Sequence, residues 1–248
     1  MEAVLLSTTY FGPVQWYQKL HRAEYVQMEQ WESFQKQTYR NRCLIATTQG
    51  VQALTVPIER FTVHSTGSGT PAVATGKAEH TYIKDIRISD HGNWRHQHWN
   101  ALQSAYGESP FFEYYQDDIR PFFEQRWDYL LDFNEAIRIK MCDLIDIHPR
   151  VVPTEFFLCP AEMNEIKESA FGMGYAQKSE TNISQISFIS AGQYTDFREA
   201  IRPKNPLPDP DFEPKPYYQV YQQKHSFLPN LSILDLLFNM GPESIFYL

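Results

Sequence analysis

The chain opens on a short apolar run, Val4-Leu5-Leu6, followed by Thr8-Thr9-Tyr10-Phe11-Gly12-Pro13 and then by Val14, Tyr17, Leu20 and His21 at the spacing of one helical face. This pattern predicts a strand, a turn and a helix, with Pro13 suited to the helix's first turn. In 23–29, Val26 and Met28 fall on one face of a second strand, which makes the opening a βαβ unit. Such a unit places the turn after Leu6 at the carboxyl end of a parallel strand, where open α/β sheets bind ligands, and it points the next helix's N–H groups at any anion there.

Two β-rich runs, 43–47 and 51–58, flank Thr48-Gln49-Gly50 and predict a hairpin. The Gly-, Ser- and Thr-rich stretch 62–78 lacks apolar periodicity and is expected to be a mobile loop. A short strand is expected at 83–88, a helix near 94–106, and a longer helix on which Trp127, Leu130, Leu131, Asn134, Ile137, Met141 and Ile145 form one stripe. Asn134 therefore faces a core. Phe188 and Ile189 suggest a further strand. Six of the 16 prolines lie in 202–216, so that stretch is an extended arm. Near the end, Ser232 is placed as an N-cap, Asp235 as a capping-box carboxylate, Leu231 and Leu236 as a hydrophobic staple, and Gly241-Pro242 as a stop. The predicted fold class is α/β: a strand-turn-helix opening with a mixed sheet, a β-hairpin insertion and a helical C-terminal half, in one domain over 1–248.

Charge narrows the partners. A formal net charge of -8 argues against a broad nucleic-acid footprint, although a local basic pocket can still take a phosphate. Three cysteines without metal-type spacing, and an N-terminus without a signal pattern, point to a cytoplasmic protein. No apolar run reaches the roughly 20 residues of a membrane span, so the chain is not expected to be transmembrane. The expected partner is a small-molecule substrate, with no motif that names a cofactor. The oligomeric state is not readable.

Few residues carry candidate chemistry. His91, His96 and His98 invite a metal reading, but on a helix His96 and His98 stand about 200° apart, so no metal site is expected. His98 shares a stripe with Trp94, Leu102 and Tyr106, and is the candidate general base against a reading as a packed core histidine. Arg40 and Arg42 point the same way if both lie in a strand and then form a two-arginine clamp for a phosphate or carboxylate, with Asn41 between them. Cys43 falls on the opposite side and reads as a small core residue. Tyr10, Tyr17, Trp94, Tyr221, Gln223 and Asn230 are candidate substrate-binding residues. No GK[ST], GxSxG or HxGH sequence is present.

Four segments resemble the WbqC-like family of bacterial proteins: STTYFGPVQWYQKL, Tyr39-Arg40-Asn41-Arg42, NWRHQHWNALQSAYGESPFFEYY and YQQKHSFLPNLSILDLLFNMGPE. At the opening, the family's usual Gln-Pro is replaced by Thr8-Thr9. The resemblance implies a place in gene clusters for O-antigen and other surface polysaccharides. It suggests a transferase acting on a nucleotide sugar, for example by acyl or aminoacyl transfer to an amino sugar. A non-catalytic module that binds a nucleotide sugar or a partner protein, and a nucleotidyltransferase-like enzyme, are the alternatives.

Overall fold

A computed structural model describes residues 3–59, 81–158 and 194–248. The loop expected at 62–78, the strand expected around Phe188 and Ile189, and Cys159 lie outside the described residues.

The predicted opening is present as β1 (Ala3–Ser7), α1 (Val14–Arg22) and β2 (Val26–Glu29). Leu5 and Leu6 are both fully buried, so β1 is covered on both faces, which is why its sequence is continuously apolar instead of alternating. The hairpin follows as β3 (Arg42–Thr47) and β4 (Gly50–Thr55), with Gly50 at φ 102° after the Thr48-Gln49 turn. Helices α2 (Trp94–Tyr106), α3 (Phe112–Ile119), α4 (Pro121–Glu124) and α5 (Leu130–Leu144) come next, and β5 (Val151–Pro153) and β6 (Tyr194–Asp196) complete the sheet. The chain ends on α6 (Gln222–His225), α7 (Ile233–Met240) and a 3-10 turn, Gly241–Tyr247.

Parallel and antiparallel pairings are divided between two sheets. β5, β2, β1 and β6 form a four-stranded sheet in that order, every pair parallel, while β3 and β4 pair antiparallel apart from it. The chain thus runs outward from β1 through β2 to β5, and β6 then lands on the other side of β1. That reversal is a topological switch point between β1 and β6. The strand expected at 83–88 is instead a 3-10 turn, Ile83–Asp85, followed by single bridges at Arg87 and Ile88. Its three isoleucines are buried by packing and need no ladder.

Helix α7 is buried from Ile233 to Asn239, so it is a core helix that is apolar nearly all round. Ser232 caps it as predicted, accepting from Leu234 N at 3.3 Å, and its own hydroxyl donates to Phe11 O at 2.7 Å. The capping box does not form. Ser232 N is taken by Leu44 O, and Asp235 lies fully buried, accepting from Tyr106 Oη, Tyr217 Oη and Gln219 Nε2 at 2.7 to 2.9 Å. An aspartate side chain is one methylene shorter than glutamate, and the buried phenols reach it first. The arm at 202–216 takes no helix or strand, and its Asp209 is held by Lys19 Nζ and Gln15 Nε2 of α1. Among the described residues no helix is long and apolar enough to cross a membrane.

Candidate functional site

Ser7, Glu29 and Asp196 are the last residues of β1, β2 and β6, so three polar groups converge at the carboxyl edge of the sheet. Ser7 pairs in register with Glu29 across β1 and β2. Two arginines enter from elsewhere in the chain. Arg40 Nε donates to Glu32 Oε1 at 2.7 Å, and its Nη2 reaches both Glu32 Oε2 and Ser7 Oγ, the latter at 2.9 Å. Arg198 donates to Asp196 from Nε and Nη2, to Leu158 O from Nη2 at 2.7 Å, and to Glu29 Oε2 from Nη1 at 3.4 Å. Glu29, fully buried, also accepts from Trp31 N, Thr154 Oγ1 and Leu158 N. Asn134, the polar residue on the α5 stripe, donates to Arg40 O at 2.8 Å and so fixes the backbone that carries this arginine.

Between these groups lies a cavity of about 10 Å³ lined by Ser7, Thr8, Thr9, Arg40, Phe197 and Arg198, among others. That is close to the least that admits one water molecule. Trp16 Nε1 donates to Ser7 O at 2.9 Å and seals one side with α1. Thr9 Oγ1 is buried without a hydrogen-bond partner. Two guanidiniums face three carboxylates (Glu29, Glu32 and Asp196), so the described residues of the cluster carry one net negative charge. A buried excess charge is costly unless something compensates it. Phe11, fully buried, is held at φ 40°, a left-handed conformation that a bulky side chain rarely adopts, and this places stored strain in the turn leaving the site.

The expected anion site at the start of α1 is not available. Val14 N bonds Leu231 O, Gln15 N bonds Asn230 Oδ1, and Trp16 N bonds Pro13 O, so the first turn's donors are already used. Nor do Arg40 and Arg42 form a clamp. β3 starts only at Arg42, whose Nε bonds Thr55 Oγ1 on the hairpin, while Arg40 precedes the strand and turns into the sheet edge. The arginine that joins Arg40 around the cavity is Arg198.

The other expected residues are spread across the molecule. His98 shares a 2.9 Å hydrogen bond with Tyr10 Oη and is boxed by the rings of Trp94, Tyr10 and Phe123, away from the cavity lining. Burial pushes His98 down to about 4, against a backbone contact with Thr55 that raises it, so the ring is neutral near pH 7. Trp94 donates from Nε1 to Ser89 O. Tyr17 is fully buried and its hydroxyl has no hydrogen-bond partner. Asn41 donates to Val56 O, and Asn230 locks α1 through reciprocal bonds with Gln15. Tyr221 and Gln223 lie at the surface near the hairpin, Tyr221 with its hydroxyl on Ser104 O. Burial pushes the Cys43 thiol up, in keeping with a core role.

The fold is an α/β arrangement of a parallel four-stranded sheet, an antiparallel hairpin and helices, with a small cavity lined by two arginines at the strand ends of its switch point. The chain belongs to the WbqC-like protein family, which matches residues 8–247. The match begins at Thr8, within the cavity lining. The chain is also 27% identical over 219 residues to the uncharacterized protein Rv1507c of Mycobacterium tuberculosis, covering 87% of this chain and 83% of that protein. No solved structure matches significantly.

Proposed function

We propose that the protein is a transferase of surface-polysaccharide biosynthesis that moves an acyl or aminoacyl group onto the amino group of a nucleotide-linked amino sugar at the β1–β6 switch point. The observation that carries this reading is the cavity itself: water-sized, lined by Ser7, Thr8 and Thr9, with Arg40 and Arg198 as its charged lining residues and their carboxylate partners Glu32, Glu29 and Asp196 behind them. A bare phosphate is too large for a space that barely admits one water molecule. An amino group fits that size, and as an ammonium it would offset the one net negative charge of the surrounding ion-pair cluster. Glu32, which accepts from Ser7 Oγ at 3.1 Å, is the carboxylate assigned to draw one proton from the ammonium through that hydroxyl, freeing the amine to attack the acyl carbonyl; as the C–N bond forms and the bond to the leaving group breaks, the amine's second proton passes to the departing group, and Glu32 gives its proton up to solvent. Arg40 Nη1, without an acceptor among the described residues, is the donor available to the developing oxyanion. His98 falls outside this scheme, being neutral and enclosed by aromatic rings.

The test is to incubate the protein with nucleotide-linked amino sugars and acyl thioesters and to detect the amide by mass spectrometry. Glu32→Gln is expected to cut turnover about 10²-fold. Saturable binding with no turnover supports a non-catalytic nucleotide-sugar module instead. The strand order also favours a second reading, a nucleotidyltransferase-like enzyme, since first-half strands in this order hold nucleotides in doubly wound folds. Release of pyrophosphate from a nucleoside triphosphate would select that reading.

A further inference from the structure

A second concavity, of about 830 Å³, opens where the hairpin, α2 and α6 meet, and its volume is that of ordinary ligand sites. None of its twelve lining residues is Asp, Glu, Lys, Arg or His, although 21% of the chain is charged. In place of charge it presents amides and hydroxyls: Gln49 and Gln52 from the hairpin, Gln97, Asn100 and Ser104 from α2, and Tyr221 at the start of α6.

The walls are braced by bonds that do not use these amides, apart from Asn100, which shares one with His96. Tyr106 Oη accepts from Ala46 N at 3.2 Å and ties the hairpin to α2. Tyr221 Oη donates to Ser104 O at 3.3 Å, while Lys224 Nζ and His225 Nε2 both reach Thr48 O at the hairpin turn. The short helix α6 is therefore clipped to both neighbours, and the tyrosine ring is held at the rim before any ligand arrives. Small apolar patches lie between the amides, from Val51, Ala53 and Ala101.

We infer that this groove binds an uncharged glycan segment. Each sugar hydroxyl both donates and accepts, and a carboxamide supplies one of each role from a single side chain without the desolvation cost of an ion. Aromatic rings and small apolar patches pack on the C–H faces of a pyranose, and a ring pre-set by a hydrogen bond loses little entropy on binding. A phosphorylated or acidic ligand finds no charged lining residue here, and the nearest basic groups, Lys224 and His225, are already bonded to Thr48 O. The site stands apart from the switch point and does not depend on what is transferred there.

The experiment is an amide-detected NMR titration of the full chain with maltohexaose, cellohexaose and chitohexaose, and with hexagalacturonate as the acidic counterpart. At least one neutral hexasaccharide is expected to shift hairpin and α2 amides saturably, with hexagalacturonate at least tenfold weaker. Gln97→Ala, an exposed change that leaves the fold's bonds intact, and Tyr221→Ala are each expected to weaken binding about tenfold, whereas Tyr221→Phe keeps most of it. The Ser7→Ala variant, altered at the switch point, is expected to bind the glycan as the parent does. No shift with any of the three neutral sugars overturns the inference. So does equal binding of hexagalacturonate, or affinity that is unchanged in both Gln97→Ala and Tyr221→Ala.

Discussion

Two buried groups are set to titrate in opposite senses over nearly the same pH range. Burial raises Asp235 from its ordinary 3.8 to about 6, against the three hydrogen bonds from Tyr217, Tyr106 and Gln219 that lower it. Its folded state therefore holds a proton that the unfolded chain has released, and the stability this supplies below pH 4 is lost as pH rises through 6. The size is about 3 kcal/mol, at about 1.4 kcal/mol for each tenfold change in proton affinity. Burial lowers His98 from 6.5 to about 4, so the unfolded chain takes a proton that the folded chain refuses. Stability from His98 is complete above pH 6.5 and is lost as pH falls toward 4, again by about 3 kcal/mol. The two slopes largely cancel in the parent protein between pH 4 and 6. Urea unfolding at half-unit steps from pH 4 to 7 reads them separately in variants. In Asp235→Asn, where the amide still accepts from one phenol, the stability curve is expected to rise with pH by about 3 kcal/mol relative to the parent. His98→Gln, about 1 kcal/mol or more weaker at pH 7 through its lost partner, is expected to fall with pH by a similar amount relative to the parent. Every other titrating group contributes alike to all three curves, so the differences isolate these two residues. Three parallel curves would refute the reasoning.

Neighbouring arginines should behave differently: Arg40→Ala is expected to cost about 3–5 kcal/mol in denaturant unfolding because it strands the buried Glu32 carboxylate, while Arg42→Ala, at a half-buried strand start, stays within about 0.5 kcal/mol. Ser232→Ala should cost about 2 kcal/mol, since it removes both the α7 cap and the bond to Phe11 O, with turnover unchanged once corrected for folded fraction. Cys43 and Cys142, both buried and both with thiols pushed up by burial, are expected to resist a thiol reagent in the native state and to react on unfolding, as read by peptide mass mapping.

Local pattern carried the reading wherever one stretch of chain explains itself. The β1–α1–β2 opening, the hairpin and the Ser232 cap each depend on residues within a few positions of one another, and each is present. The polar Asn134 was visible as an exception to its helix stripe, and the exception has a cause, the bond to Arg40 O. The charged cluster was not visible, because its members meet across long separations: Glu29 and Arg198 lie 169 residues apart, and Ser7 and Arg40 lie 33 apart. No periodicity links them. A usable signal did exist, in that Ser7, Glu29 and Asp196 are polar residues ending strands, and strand ends of a parallel sheet are where ligands sit. That signal is weak at Asp196, because β6 is only three residues long, too short for alternation to predict a strand. Arg40 shows the same limit from the other side. The alternation predicts Arg40 as half of a ligand clamp with Arg42, whereas Arg40 pairs with the buried Glu32 and the strand that would align the two arginines begins only at Arg42. Register decides which face a side chain takes, so an error in where the strand starts changes the arginine's partner although the residue itself was singled out.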